Sequence, residues 1–308
     1  MSKLNIEIAG IQFPNPVLVS AGTFGYGDEL AEVMDINQLG GIVTKTLTLK
    51  PRLGNSAPRV IPTTGGMMNS VGLQNMGIES FIEEKLPQLK KQIQIPLIVS
   101  IMGESPEEFK SLAELLNGIE GLSAIELNLS CPNVKAGGSS FGVDPQLAGE
   151  AVNAVKKTVK LPVFAKLTPN VTDIGLIAKA VEAAGADAIV AVNTFNALSI
   201  DPETRHSRLG NWKGGLSGPA IKPLALYQVY HAVQAVKIPI IGMGGIISPA
   251  DALEFILAGA MAVSIGTGNF INPRTPLKII KGISRYLEKH HLADLHTLRG
   301  AFNPTLSA

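Results

Sequence analysis

Eight short runs rich in valine and isoleucine recur along the chain, and a segment of helical spacing follows each of them. No other feature restricts the fold as much. The runs cover residues 16–21, 41–46, 96–102, 124–130, 162–167, 188–193, 239–245 and 262–268. Their continuous apolar character is that of strands buried on both faces of a parallel sheet. The helical segments lie near residues 28–36, 78–91, 106–116, 145–159, 173–184, 219–236, 249–258 and 276–289. Ser105-Pro106, Asp144-Pro145 and Ser248-Pro249 each pair a capping side chain with a proline suited to the first helical turn. Eight such units favour a closed α/β structure, a (β/α)8 barrel, over an open doubly wound sheet with insertions. Residues 4–13 predict a small N-terminal β-hairpin turning at Ala9-Gly10 and capping the barrel bottom. No linker or low-complexity run divides the chain, so residues 1–308 are expected to form one domain.

Composition excludes several roles. Hydrophobic residues make up 45% of the chain and charged residues 17%, enough for a large core and too apolar for disorder. A net charge of +1 provides no attraction to nucleic acid or to an acidic membrane surface. The single cysteine, Cys131, rules out a disulfide within the chain, and an iron–sulfur cluster held by this chain alone would need about four cysteines. The N-terminus resembles neither a signal peptide nor a membrane anchor, so a cytoplasmic protein is expected.

Barrels of this kind build their sites just past the strand ends. Here those positions hold Ser20, Lys45, Thr46, Ser100, Asn128, Cys131, Lys166, Asn193, Thr194, Gly244, Gly245, Gly266 and Thr267. A lysine in an apolar strand is costly unless paired. Lys45 and Lys166 therefore predict contacts to an anionic ligand or, alternatively, internal salt bridges. Glu126 is one of few carboxylates nearby, and alternation is expected to turn it away from its neighbours on the Cys131 side. The glycine-rich ends at residues 242–246 and 265–269 allow close approach of backbone N–H groups to a phosphate, or simply form tight turns. Neither fits the dinucleotide fingerprint G-x-G-x-x-G, and no P-loop occurs.

Cys131 opens a Gly/Ser-rich loop running to Asp144 beside Asn128 and Asn133. A thiol there can act as nucleophile, as base or as packing filler. A second polar loop, residues 65–77, carries Asn69 and Asn75 between glycines. Such amides suit a substrate with carbonyl and ring N–H groups, though they also serve turns. A flavin-free phosphate-binding aldolase or isomerase, with Lys45 or Lys166 forming a Schiff base, fits the same positions.

The stretches TLKPRLGNSAPRV, NSVGLQNMGIESFIEE, ELNLSCPN, FAKLTPN, VNTF, GGLSGPAIKP, GMGGI and SIGTGNF together resemble dihydroorotate dehydrogenases. The resemblance runs from Ile6 to about Leu287. Cysteine within ELNLSCPN resembles the cytosolic class 1 members, and the GLQNMGIESFIEE stretch resembles the class 1B catalytic subunit. The fumarate-linked class 1A enzymes and dihydropyrimidine oxidoreductases share part of the pattern.

The class 1B resemblance implies FMN in the barrel and oxidation of dihydroorotate to orotate in pyrimidine biosynthesis. It further implies electron transfer to NAD through a partner subunit carrying FAD and an iron–sulfur cluster, with a homodimer of this chain inside a heterotetramer. Carried over by position, Cys131 would be the catalytic base. Lys45, Asn69, Ser70, Val71, Gly72, Leu73, Asn128, Asn193 and Thr194 would hold substrate. Ser20, Lys45, Thr46, Ser100, Asn128, Lys166, Val192, Gly218, Gly244, Gly245, Gly266 and Thr267 would hold FMN. Ser100 departs from the family, which often has asparagine there; its hydroxyl is shorter than an amide.

Overall fold

The computed structural model describes residues 4–130 and 141–304. Among them, eight parallel strands close into a barrel in which each strand pairs with its neighbours in chain order, the last closing on the first. They are Val17–Val19, Gly41–Val43, Leu97–Ile101, Ala124–Asn128, Val163–Leu167, Ala188–Ala191, Ile240–Met243 and Ala262–Ile265. The expected (β/α)8 architecture is present. Most of the strands stop earlier than the sequence suggests, so Ser20, Lys45, Thr46, Asn193, Thr194, Gly244, Gly245, Gly266 and Thr267 lie in loops just beyond the last paired residues. Ser100, Asn128 and Lys166 stay inside their strands.

The helices begin where local chemistry starts them. Pro106–Leu116 begins at Ser105, whose hydroxyl accepts from the Glu108 N–H, and buries Phe109, Leu112, Ala113 and Leu116 on one face. Pro249–Leu257 opens with a reciprocal cap between Ser248 and Asp251. The segment from Ile78 to Gln92 is one helical run widened to a π-turn at Phe81–Lys85. Lys222–Ala235 follows a 3-10 turn at Pro219–Ile221.

The helix expected over residues 28–36 does not form. That segment makes isolated turns and then a 3-10 turn at Ile36–Gln38. Its side chains satisfy local backbone instead: the Glu29 carboxylate accepts from the N–H groups of Tyr26 and Gly27, and Asp35 accepts from that of Asn37.

The N-terminal hairpin is as expected, with Ile6–Ile8 antiparallel to Ile11–Phe13. Ala9 and Gly10 both take positive φ, the geometry of a two-residue hairpin turn. Phe13 is fully buried and lies against Gly41, the first residue of the second barrel strand, so the hairpin closes the barrel at its amino-terminal end.

A second sheet was not evident from sequence. Four antiparallel strands, Val60–Thr63, Gly66–Asn69, Phe195–Ala197 and Gly214–Ser217, join at the carboxyl end of the barrel. The loop after the second barrel strand is therefore a hairpin. Its second arm pairs with the excursion after the sixth strand, placing Asn69 opposite Gly215. Among the described residues, no helix is long and apolar enough to cross a membrane.

Candidate active site at the barrel mouth

The antiparallel sheet gathers two of the expected ligand-binding segments. The Asn69 Nδ2 donates to the Gly215 carbonyl at 3.5 Å. A Cβ on Gly215 would lie 2.0 Å from the Thr194 hydroxyl, so glycine there is what lets Thr194 approach this strand. Thr194 in turn receives the Asn170 amide at its carbonyl, 3.0 Å away. Asn170 was not singled out from sequence, although it closes the FAKLTPN stretch; it also bonds Thr168 and Asn196.

Residues Ser70 to Leu73 form a turn held from outside. Asn55 donates to both the carbonyl and the hydroxyl of Ser70, and its own N–H donates to the Val71 carbonyl. Gly72 and Leu73 both adopt positive φ. Arg59 reaches the carbonyls of Leu53 and Asn55 and the side chain of Gln74. Asn75, unlike Asn69, spends its amide on this loop: it bonds Thr48, the Leu73 carbonyl and the Gly77 N–H.

A cleft at the ends of the sixth, seventh and eighth strands is lined by Val192, Asn193, Thr194, Gly218, Gly244, Gly245, Gly266 and Thr267, all expected site residues. Ser217, Ile221 and Ile246 join them; Ser217 accepts from the Thr267 hydroxyl at 2.8 Å. Among the described residues, no acceptor takes the backbone N–H groups of Gly244, Gly245, Gly266 or Thr267. Backbone donors left open at the ends of the last two strands suit a phosphate. A Cβ on Gly266 would approach only the Ser20 hydroxyl, at 3.1 Å, so a side chain there would project into the cradle. Ser20 itself bonds the Ile265 carbonyl through both its N–H and its hydroxyl, tying the first strand end to the eighth. These features fit a phosphate-bearing cofactor.

The cationic side consists of two lysines in different settings. Lys45 is half-buried, and no carboxylate lies within 4.0 Å of its Nζ among the described residues. Burial holds its pKa below the ordinary lysine value; Glu29 partly counters this and Arg59 adds to it. Lys166 is 3% exposed. Its nearest carboxylate is that of Glu126, with Nζ 3.9 Å from Oε1. Contrary to the expected orientation, the Glu126 carboxylate faces Lys166 and Ser100. Glu126 and Asn128 are two residues apart on one strand and so share the barrel's interior face. Their cross-strand partners are Ser100 and Lys166 respectively.

Ser100 is fully buried. Its hydroxyl donates to Glu126 Oε1 at 2.9 Å and lies 2.9 Å from the Thr46 hydroxyl. Asn128 completes the group, its amide donating to Thr46 Oγ1 at 3.4 Å. Cys131 and Asn133 lie outside the described residues. Among those described, no cluster of three or more His, Cys, Asp or Glu side chains could hold a metal ion.

Comparison with known proteins identifies the family. The family described as dihydroorotate dehydrogenase matches residues 3–287. A protein of Citrifermentans bemidjiense is 48% identical over 298 residues, covering 97% of this chain and 97% of its own. One of Pelobacter propionicus is 49% identical over 298 residues, covering 97% and 98%. One of Desulforamulus reducens is 50% identical over 301 residues, covering 97% and 99%. All three are named dihydroorotate dehydrogenase B (NAD(+)), catalytic subunit. A match over nearly the whole chain, on a closed eight-stranded parallel barrel, places this chain in the dihydroorotate dehydrogenase family.

Proposed function

We propose that this chain oxidises dihydroorotate to orotate in pyrimidine biosynthesis, as the catalytic subunit of an NAD-linked enzyme of class 1B. The observation that carries the reading is the single cleft in which Val192, Asn193, Thr194, Gly218, Gly244, Gly245, Gly266 and Thr267 meet. These positions come from separate segments of the chain and were expected together from the family resemblance. Near-50% identity to catalytic subunits named for NAD favours this class over the fumarate-linked one.

FMN is the proposed cofactor, and the whole chain serves as one FMN-binding barrel in the cytoplasm. The open N–H groups of Gly244, Gly245, Gly266 and Thr267 would take its phosphate. Ser20, Lys45, Thr46, Asn128, Lys166, Val192 and Gly218 would hold the rest. The reaction removes a proton from one ring carbon of the substrate and a hydride from its neighbour; bound FMN would supply the hydride acceptor. The other steps belong to this chain's side chains. Cys131 would take the proton as general base. Asn69, Asn128, Asn193 and Thr194, with the turn from Ser70 to Leu73, would meet the substrate's carbonyl and N–H groups. Lys45 would neutralise its carboxylate.

This chain has one cysteine, so a cluster that relays electrons to NAD belongs on another polypeptide. The proposed partner is an electron-transfer subunit carrying FAD and an iron–sulfur cluster, with two copies of each chain in a heterotetramer. The direct test is anaerobic mixing of purified protein with dihydroorotate. Loss of the yellow flavin colour is expected. A colourless protein in which borohydride traps a lysine adduct would support a Schiff-base barrel instead.

Lys45 makes a pH-dependent prediction. Its pKa is depressed in the fold while the unfolded chain keeps the ordinary value of about 10.4. Below the folded pKa, the buried charge costs stability, and that cost is relieved as pH rises through it. A bound anion offsets the same cost, so anion binding is tightest where Lys45 is charged. Orotate affinity, measured by titration, is expected to weaken on the alkaline side and converge on that of a Lys45→Met variant. Parallel pH profiles for the two proteins would remove Lys45 from the substrate site.

A further inference from the structure

Four buried groups, Asn128, Thr46, Ser100 and Glu126, form a hydrogen-bond chain whose direction is determined by its last member. An ionised carboxylate only accepts, so Ser100 commits its one proton to Glu126 Oε1 at 2.9 Å. Thr46 must then donate to Ser100 at 2.9 Å, and Asn128 donates to Thr46 at 3.4 Å. The oxygen that receives this chain is also the one nearest Lys166 Nζ, yet it stands 3.9 Å away. A direct ion pair would need an approach of about 1 Å more. Among the described residues, the Lys166 ammonium makes no hydrogen bond, although the residue is 3% exposed. An ammonium on a nearly buried residue, with no hydrogen-bond partner among the described residues and beside a carboxylate held by a third group, is an arrangement that leaves the cation for something else.

We propose that Ser100 restrains Glu126 from closing on Lys166 and so keeps the ammonium available to the flavin. Ser100 and Glu126 are positioning residues that act through Lys166. The inference rests on the reading above that Lys166 faces bound FMN. Glu126 supplies counter-charge at a distance, which limits the cost of burying Lys166 without neutralising it as a contact pair would. Hydride uptake adds negative charge to the flavin, so the charge that Lys166 presents influences the oxidised–reduced equilibrium.

The two variants should therefore move that equilibrium in opposite directions. In Ser100→Ala, the released carboxylate closes on Lys166. The flavin midpoint potential, read against a reference dye, is expected to become more negative, and FMN affinity of the apoprotein to fall by about tenfold. In Glu126→Gln the counter-charge disappears, and the potential is expected to become more positive. A tenfold change in the equilibrium corresponds to about 30 mV for a two-electron couple. The double variant should follow Glu126→Gln, because Ser100 then has no carboxylate to restrain. Shifts of the same sign, or no shift, would overturn the proposal. If Ser100→Ala retains no flavin, the double variant decides: regained binding supports the restraint, and continued loss overturns it. Wild-type protein that takes up no FMN would instead sink the functional reading itself.

Discussion

In a Cys131→Ser enzyme, flavin reduction by dihydroorotate is expected to be slower by about 10²-fold or more near neutral pH, the scale of a lost general base. A free thiol has a pKa of about 8.5, so a few per cent is thiolate at neutrality and the fraction grows as pH rises. A serine hydroxyl ionises far less readily and has no comparable reserve. The wild-type rate should accordingly climb on the alkaline side, while the variant stays low across the same range. Lys45 works in the opposite sense, since its loss of charge weakens substrate binding there. Together they predict a kcat/KM profile that rises with the thiolate and falls as Lys45 deprotonates. Stopped-flow reduction under anaerobic conditions separates the chemical step from later electron transfer. A variant reduced as fast as wild type would remove Cys131 from the chemistry.

The Lys166→Ala variant is expected to lose both flavin affinity and stability. A hydrogen bond to a charged group contributes about 1.5–3 kcal/mol, so FMN should bind roughly 10- to 150-fold more weakly. The stability loss has a separate source. Glu126 is 1% exposed, and without Lys166 its carboxylate keeps, among the described residues, only the Ser100 hydroxyl. Removing one member of a buried pair typically costs about 3–5 kcal/mol. The separation of 3.9 Å and the retained Ser100 bond put this case toward the lower figure. Adding Glu126→Gln to Lys166→Ala should recover part of the stability and none of the flavin affinity. Urea denaturation and FMN titration measure the two effects independently. Wild-type values in both assays would show that Lys166 neither serves the cofactor nor balances Glu126.

The barrel was legible because strands buried on both faces must be apolar throughout. Runs such as residues 97–101 and 188–191 contain little else, and their bounds emerged nearly as expected. Strand ends were less legible because apolar residues continue into the first loop positions. The second sheet was hidden for a different reason. Gly66–Asn69 and Gly214–Ser217 are rich in glycine, lack alternation, and pair across a long sequence separation. The helix expected near residue 28 failed because Glu29 and Asp35 bond backbone locally, which periodicity does not register.

The cleft was legible at Gly244, Gly245, Gly266 and Thr267, where glycine follows two successive barrel strands and leaves backbone N–H groups facing open space. Glu126 was misjudged although its signal was present. Residues 126 and 128 share parity, and placing Asn128 inside the barrel already placed Glu126 there. Asn55, Asn170 and Ser217 went unnoticed because they lie away from the ends of the eight barrel strands and bond the candidate residues from neighbouring segments.

The sheet that couples Asn69 to Gly215 makes the two excursions from the barrel rim a single mechanical part. Lengthening or replacing one of them alone would shift the register of its partner and carry Thr194 with it. A chimera that borrows substrate preference from a relative must therefore transplant both excursions together, and homologues should tolerate insertions there only in matched pairs.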